Sequence, residues 1–170
     1  MNTRKIKFKE YKSQVSNICR EIQFCGWKPD YIVGITGGGL VAAVMISKWF
    51  GLPCETLNIC LSNSIGESKP WMAIDAFGKS ESDRAAKNIL VVNDINNQGS
   101  TFNWLMSDWK SSCMPTDPRW QHVWNNNVRF AVVIDNLASE CEVKMDFCGQ
   151  EINKVEQDVW VEFPYEEWWK

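Results

Sequence analysis

The sequence predicts an α/β domain with a mostly parallel central sheet flanked by helices. Short apolar runs of strand length alternate with helical periodicity along the 170 residues, and the composition is 45% hydrophobic and 23% charged. Two of the apolar runs also pass directly into glycine-containing polar loops that precede helices. Strands that alternate with helices are typical of parallel sheets, whose ligands bind beyond the carboxyl ends of the strands. The length corresponds to one domain over 1–170.

Glycine and proline delimit the elements of the first half. Gly26 and Pro29 end a helix whose apolar residues fall at steps of three and four, and Gly51 and Pro53 end a second, more apolar helix. The predicted elements of this half are a helix over 8–25, a strand over 31–35, a helix over 40–50 and a strand over 55–61.

The second half contains two stretches without clear periodicity, over 62–88 and 114–127. A polar stretch as long as 62–88 inside a compact domain is usually a functional lid or a disordered segment. The predicted elements of this half are strands over 89–92, 129–134, 143–147 and 159–163 and a helix over 100–110.

The charge and cysteine content exclude several classes of protein. The net charge of −3 argues against a nucleic-acid binder, which would normally carry a basic surplus. Seven Cys without a C-x-x-C spacing, and His122 as the one histidine, disfavour a zinc site, a disulfide scaffold and a catalytic triad. No apolar run approaches the roughly 20 residues of a membrane span, and the N-terminus does not resemble a signal peptide. We expect a cytoplasmic protein without membrane partners, whose Cys side chains are small core hydrophobes.

The loop after the strand at 89–92 is a candidate phosphate site. The strand delivers Asp94 to the edge of the sheet, Gly99 permits a close backbone approach, and Ser100 and Thr101 stand where a helix begins. The free N–H groups of a first helical turn, together with the helix dipole, suit a phosphate monoester. The loop has neither the Walker A spacing nor the dinucleotide fingerprint, which disfavours a dinucleotide-dependent redox enzyme. An ordinary polar turn with Ser as the N-cap is the alternative.

The segment VVNDINNQGST, at 91–101, resembles the phosphoribosyl-pyrophosphate motif of type I phosphoribosyltransferases. The resemblance implies their fold, with a small C-terminal hood over 141–170 that carries base-binding residues. It places Asn93 and Asp94 on the ribose hydroxyls, with Mg²⁺ on Asp94, and it makes Asn97 and Asp94 the catalytic pair. The 5′-phosphate would be bound by Asn97, Gln98, Gly99, Ser100 and Thr101.

Two further segments resemble the same family, closest to its small xanthine, guanine and hypoxanthine enzymes. ITGGGLV, at 35–41, is similar to the pyrophosphate loop, and WVEFPYE, at 160–166, is similar to the purine-site segment. The resemblance implies that 62–88 is a mobile lid, in which Lys69, Lys79 and Arg84 are candidate cations. It assigns the pyrophosphate loop to Thr36, Gly37, Gly38 and Gly39 and the base site to Asn136, Trp160, Val161 and Glu166.

Four positions depart from the family pattern. Gly37 replaces a cation, Asn93 and Asn97 replace acids, and Asn136 stands where purine enzymes carry a Lys. The resemblance implies Mg²⁺-dependent transfer of phosphoribose from phosphoribosyl pyrophosphate to a purine base, by a homodimer or homotetramer. The departures leave open a catalytically weakened relative that binds or senses a nucleotide or phosphoribosyl pyrophosphate. Engineered Asp-to-Asn changes would leave the same pattern.

Overall fold

The computed structural model describes residues 2–78 and 85–170, which form a parallel sheet with helices on both faces. None of the described helices is long and apolar enough to cross a bilayer. The helices are α1 (Phe8–Cys25), α2 (Gly39–Phe50), α3 (Pro70–Phe77) and α4 (Ser100–Ser112). The strands are β1 (Asn2–Lys5), β2 (Tyr31–Ile35), β3 (Cys54–Leu57), β4 (Ile59–Cys60), β5 (Ile65–Gly66), β6 (Ile89–Asn96), β7 (Val128–Asn136), β8 (Phe147–Ile152) and β9 (Val159–Glu162).

The central sheet has five strands in the order β3-β2-β6-β7-β8, and every neighbouring pair is parallel. This arrangement confirms the predicted α/β class. The carboxyl ends of β2 and β6 lie side by side, so the loops that follow them meet at one edge of the sheet.

The two faces of the sheet bury separate apolar clusters. One contains the inner sides of α1 and α2, while the other contains α3, α4 and the fully buried rings of Trp109 and Trp120. The stretch 114–127 belongs to this second cluster, because Trp120 stacks on Trp124 at 5.2 Å and lies 5.0 Å from Phe77. The irregular insert therefore completes the core.

A small hood forms where the two ends of the chain meet. β1 pairs in parallel with β9, and the stacked rings of Phe163 and Tyr165 follow β9. Tyr11 of α1 contacts both rings edge to face. The hood is thereby packed against α1, at the same edge of the sheet as the loops after β2 and β6.

The predicted strand over 143–147 is wrong, since β8 begins at Phe147. Val143 and Met145 pack as irregular chain against the second cluster. The strand instead contains Gly149, where an added Cβ would lie 2.7 Å from the Cβ of Gln14 on α1. Close packing against α1 therefore decides which residues form the edge strand, and the local apolar pattern does not encode this contact.

Within the stretch 62–88, the described residues 62–78 contain regular structure that their polarity did not predict. Met72, Ala73 and Ala76 of α3 are buried, so this apolar patch anchors the segment to the core. Lys79 and Arg84 lie outside the described residues, and the lid remains a prediction. The strand predicted over 55–61 is divided into β3 and β4, of which β4 pairs with β5 in a short hairpin.

The cysteines are less buried than expected. All seven are free, but only Cys19 is fully buried, and Cys25 is exposed. Cys54, Cys113, Cys141 and Cys148 are partly buried and pack against the two apolar clusters, so the prediction of core residues holds fully for Cys19 and in part for these four.

Candidate functional site

The motif around Asp94 begins inside a strand. β6 was predicted to end at Val92, but it stays paired with β7 as far as Asn96, which stands opposite Asp135. Asn93 and Asp94 therefore sit on a backbone that is fixed by the sheet. The strand ends three residues before Gly99, which has φ +83 and precedes the first residue of α4.

The loop after β6 encloses a cavity of about 200 Å³ that is lined by the residues of 93–102. The N-terminus of α4 opens into it, so the unpaired N–H groups of the first turn are available to an anion. The cavity brings together all the residues that were predicted to bind the 5′-phosphate: Asn97, Gln98, Gly99, Ser100 and Thr101.

The loop over 97–101, called the phosphate loop below after its predicted ligand, is supported by the chain that follows β7. Asn136 donates a hydrogen bond from Nδ2 to the Asn97 carbonyl at 2.7 Å, and the Glu140 amide donates to the Gln98 carbonyl at 3.2 Å. A Cβ at Gly99 would meet the Cys141 backbone. The loop conformation is therefore set by contacts that are independent of any ligand.

The glycine loop after β2 packs against β6. Gly37 has φ +92, a conformation in which the Arg or Lys usual in the family would be strained. A Cβ on Gly38 would overlap the Asp94 carboxylate, and one on Gly39 would lie 2.6 Å from the Val92 carbonyl. The second and third glycines are thus required by the close approach of α2 to β6.

The hydroxyl of Tyr165 covers Asp94. It donates a hydrogen bond to Asp94 Oδ2 at 3.0 Å, while the Ile95 amide donates to Oδ1 at 2.7 Å. Burial raises the pKa of Asp94, and these hydrogen bonds only partly offset it. Burial, and then the Asp94 charge, raise the pKa of Tyr165, which stays protonated. Sequence analysis missed this contact because nothing local links residues so far apart.

Lys69 lies near the glycine loop. Its Nζ donates to the Thr56 carbonyl at 2.5 Å and lies 3.6 Å from Glu67. Glu67 accepts from the Asn58 amide, and Asn58 in turn accepts from the Thr36 hydroxyl at 2.8 Å. A network of four residues thus connects this ammonium to the glycine loop.

A second cavity of about 600 Å³ adjoins the phosphate loop and shares Asn97, Gln98 and Ser100 with the first. Asn136 and Lys154 also line it. The Lys154 amide donates to Asn136 Oδ1 at 3.0 Å, and its Nζ lies 6.0 Å from the centre of the Trp160 ring. Two predicted base-site residues, Asn136 and Trp160, are therefore connected through Lys154, which sequence analysis did not single out.

The other residues predicted to bind the base lie around the hood. Trp160 is 53% exposed, and Val161 is buried in β9. Glu166 is exposed, and its pKa is raised by partial burial and by the charge of Asp94. His122 lies in an exposed turn, with its ring beside Gln121.

The donor set for a metal is small. The described residues contain no group of three or more His, Cys, Asp or Glu that could bind an ion. Among the described residues, Asp94 is the one carboxylate that lines the phosphate cavity. One carboxylate fits Mg²⁺ when substrate oxygens and water supply the remaining ligands, as is usual for this ion. The residues present therefore fit a substrate-held Mg²⁺ at Asp94 and no metal held by the protein alone.

Solved structures with this fold include nucleotide enzymes. A purine phosphoribosyltransferase from Pyrococcus horikoshii is 18% identical, with a TM-score of 0.66 over 98% of this chain and 96% of that chain. Xanthine-guanine-hypoxanthine phosphoribosyltransferase from Helicobacter pylori is 15% identical, with a TM-score of 0.67 over 98% and 95%. A Neisseria gonorrhoeae chain described as a hypothetical protein with bound ppGpp is 16% identical, with a TM-score of 0.63 over 98% and 90%. The TM-scores show a shared fold, and at these low identities the likeness extends to the fold alone.

The family itself is identified by sequence. No curated protein matches the chain. The family model of the phosphoribosyl transferase domain, however, matches residues 7–167. This range includes the glycine loop, the phosphate loop and most of the hood. The chain therefore belongs to the phosphoribosyl transferase domain family.

Proposed function

We propose that the protein transfers the phosphoribosyl group of phosphoribosyl pyrophosphate to a purine base. The observation that supports this function best is the pair of adjoining cavities. The smaller presents the N-terminus of α4 to a phosphate, and the larger has room for a base beside Asn97. The 5′-phosphate would bind in the first cavity and the base in the second.

In this reaction a nitrogen of the base attacks carbon 1 of the ribose, and the bond from that carbon to pyrophosphate breaks. Asp94 would hold Mg²⁺, which when bound supplies charge neutralisation on the pyrophosphate and ribose oxygens. The hydroxyl of Tyr165 occupies one acceptor position of Asp94 Oδ2 and would compete there with a new partner. The backbone N–H groups of α4 would fix the 5′-phosphate and thereby orient the ribose.

Asn97 limits the rate of this proposed reaction. Its amide can accept a hydrogen bond from the base but cannot take a proton. A positioned general base contributes about 10²–10⁴-fold to the rate. We therefore expect slow turnover of neutral bases by the natural chain and a gain of at least about 10-fold for Asn97→Asp.

The function is tested by mixing the protein with phosphoribosyl pyrophosphate, Mg²⁺ and guanine, xanthine or hypoxanthine, and measuring the nucleotide product. Ser100→Pro removes the backbone N–H of the first residue of α4 and disfavours the conformation of Gly99 before it, so this variant is the control in which the loop is disrupted. Absence of product with all three bases, in both the natural chain and Asn97→Asp, would exclude the transferase function.

A second candidate is a protein that binds a purine nucleotide without turnover. Gly37, Asn93 and Asn97 favour it, because each lacks the charge that the family motif carries. The bound ppGpp of the Neisseria gonorrhoeae chain is a precedent for a guanine nucleotide on this fold. Saturable binding of guanosine 5′-monophosphate by calorimetry, without product formation in the assay above, would favour this candidate.

The number of subunits remains a prediction. Trp168 and Trp169, at 73% and 66% exposed, form an aromatic surface at the C-terminus that would suit a subunit contact. Sedimentation of the natural chain and of Trp168→Ser tests the predicted dimer or tetramer.

A further inference from the structure

The side chain of Asn136 is engaged by the backbone of the protein itself. Its Nδ2 donates to the Asn97 carbonyl at 2.7 Å, and its Oδ1 accepts from the amides of Lys154 at 3.0 Å and Ala138 at 3.3 Å. Because a carbonyl faces one end of this side chain and two N–H groups face the other, the group can point only one way. Asn136 is also buried, at 5% exposed. Three of the four hydrogen bonds open to an Asn side chain are therefore made without a ligand.

The segment over 136–142, called the bracket below, lies along one side of the phosphate loop. Its first residue, Asn136, binds the Asn97 carbonyl. The Glu140 amide donates to the next carbonyl of the loop, that of Gln98, at 3.2 Å. Two successive carbonyls of the phosphate loop therefore point toward the bracket.

The direction of these carbonyls fixes the direction of the loop amides. The peptide bonds of the described chain are trans, and in a trans peptide the C=O and the following N–H point in opposite directions. The N–H groups of Gln98 and Gly99 are therefore turned away from the bracket, toward the cavity of about 200 Å³ that both residues line. They add to the free N–H groups of the first turn of α4, which open into the same cavity. The bracket thus orients donors for an anion.

The bracket is itself held in place from α4. Asn103 Nδ2 donates to the Glu140 carbonyl at 3.1 Å, and Asn103 Oδ1 accepts from the Glu142 amide at 2.9 Å. Asn103 therefore acts on the phosphate loop through the bracket, whereas Asn136 acts on it directly.

We propose that Asn136 is a positioning residue of the phosphate site and not a residue that contacts the base. It acts through the Asn97 carbonyl, because holding this carbonyl presents the Gln98 amide to the 5′-phosphate before a ligand binds. A donor that is already oriented costs no reorganisation on binding. This inference rests on the proposed function, in which the 5′-phosphate in the loop orients the ribose for the reaction.

Inorganic phosphate and guanosine separate the two subsites, because the first has no base and the second has no phosphate. Both are titrated by calorimetry into the natural chain and into Asn136→Ala. We expect Asn136→Ala to bind inorganic phosphate about 10-fold more weakly and guanosine with unchanged affinity. A residue that contacts the base would give the reverse result.

Two further variants separate positioning from a loss of stability. Asn127→Ala is the matched control, because Asn127 also donates from Nδ2 to backbone carbonyls, those of Ala76 and Lys87, at the amino end of the sheet. It should lower the urea midpoint but leave the affinity for phosphate unchanged. Asn103→Ala leaves Asn136 intact and should weaken phosphate binding about 3-fold, because it loosens only the bracket.

The inference is overturned by a phosphate affinity that is unchanged in Asn136→Ala, or that falls equally in Asn127→Ala. If Asn136→Ala does not fold, the same titrations of Asn103→Ala decide the question, and an unchanged affinity for phosphate there has the same meaning. A natural chain that binds no inorganic phosphate also contradicts the inference.

The transferase assay distinguishes this inference from the proposed function. If product forms, Asn136→Ala should raise KM for phosphoribosyl pyrophosphate about 10-fold and leave KM for the base unchanged. A raised KM for the base alone would mean that the transferase function stands and the positioning role is wrong. If no base is converted but phosphate binding depends on Asn136, the transferase function is wrong and the positioning role stands.

Discussion

The two loops that meet at the carboxyl edge of the sheet differ in what fills them. The loop after β6 surrounds an open cavity of about 200 Å³, and its shape is fixed from behind by Asn136 and Cys141. The glycine loop after β2 is closed over by neighbours, because the Asp94 carboxylate and the Tyr165 hydroxyl lie against Gly38. The first loop is open to solvent and has space for an anion, whereas the second is covered by the side chains of Asp94 and Tyr165.

The two loops also differ in the charges they carry. The phosphate loop needs only backbone N–H groups and small residues, and those are present. The glycine side would normally add charge, yet Gly37 and Asn93 carry none. Binding of a monophosphate should therefore be the more robust property, and handling of pyrophosphate the weaker one.

The largest expected effect comes from filling the phosphate loop. Gly99→Ala adds a Cβ at φ +83 and against the Cys141 backbone, so strain and overpacking act together. We expect the free energy of unfolding to fall by about 2–4 kcal/mol and the binding of purine monophosphates to be lost. Urea denaturation and calorimetry measure the two effects.

Gly26→Ala is the matched control for this variant. Gly26 has φ +73 at the end of α1, with nothing within 4 Å of the added Cβ. Its cost should be limited to about 1–2 kcal/mol of backbone strain, with nucleotide binding unchanged. Equal losses of stability in the two variants would show that the Cys141 contact does not constrain the loop.

An intermediate effect is expected from uncovering Asp94. Tyr165→Phe keeps the rings stacked on Phe163 but removes the hydrogen bond to Asp94 Oδ2. We expect stability to fall by about 1 kcal/mol and the affinity for phosphoribosyl pyrophosphate with Mg²⁺ to rise about 3- to 10-fold, because no hydroxyl must be displaced.

Tyr11→Phe tests whether that gain is specific, since it removes a hydroxyl from the same aromatic cluster but no hydrogen bond to Asp94. Calorimetry with phosphoribosyl pyrophosphate should show no gain for it. An unchanged affinity in Tyr165→Phe would mean that the glycine loop is already open to ligands in solution.

The smallest effect concerns the strand that supports the phosphate loop. Burial raises the pKa of Asp135, so its charged form is less favourable in the folded chain than in the unfolded one. The folded state therefore binds the proton of Asp135 more tightly than the unfolded state does. The Asp135 charge lowers the free energy of unfolding at pH values above the folded pKa. This loss disappears as the pH falls below the unfolded pKa of about 3.9. Asp135→Asn keeps an oxygen that can accept the hydrogen bond from Asn96. We expect this variant to raise Tm by about 2 °C at neutral pH and to leave Tm unchanged at about pH 3.5. Thermal melts at both pH values measure it, and a loss of Tm at neutral pH would contradict the prediction.

The local sequence was sufficient to predict the position of the phosphate loop and of most helices. The apolar run before Asn93, the glycine at position 99 and the hydroxyls at 100 and 101 are neighbours in the chain, and so is the periodicity of α1. Such patterns depend on contacts within a few residues, which is why the sequence predicted seven of the residues that line the cavity but not Ile95, Asn96 and Phe102. The prediction of a strand over 143–147 was wrong because the position of β8 depends on a non-local contact, the packing of Gly149 against α1.

The sequence by itself determined the family, the α/β class, the phosphate loop and the missing charges at 37, 93 and 97, since each is a property of residue types in order. Only the tertiary structure decided that Tyr165 covers Asp94 and that Lys154 stands between Asn136 and Trp160. Tyr165 and Asp94 are 71 residues apart, and Lys154 lies 18 residues from Asn136. Contacts at such separations arise when strands assemble into a sheet and the hood packs over its edge, and they leave no periodic trace in the sequence.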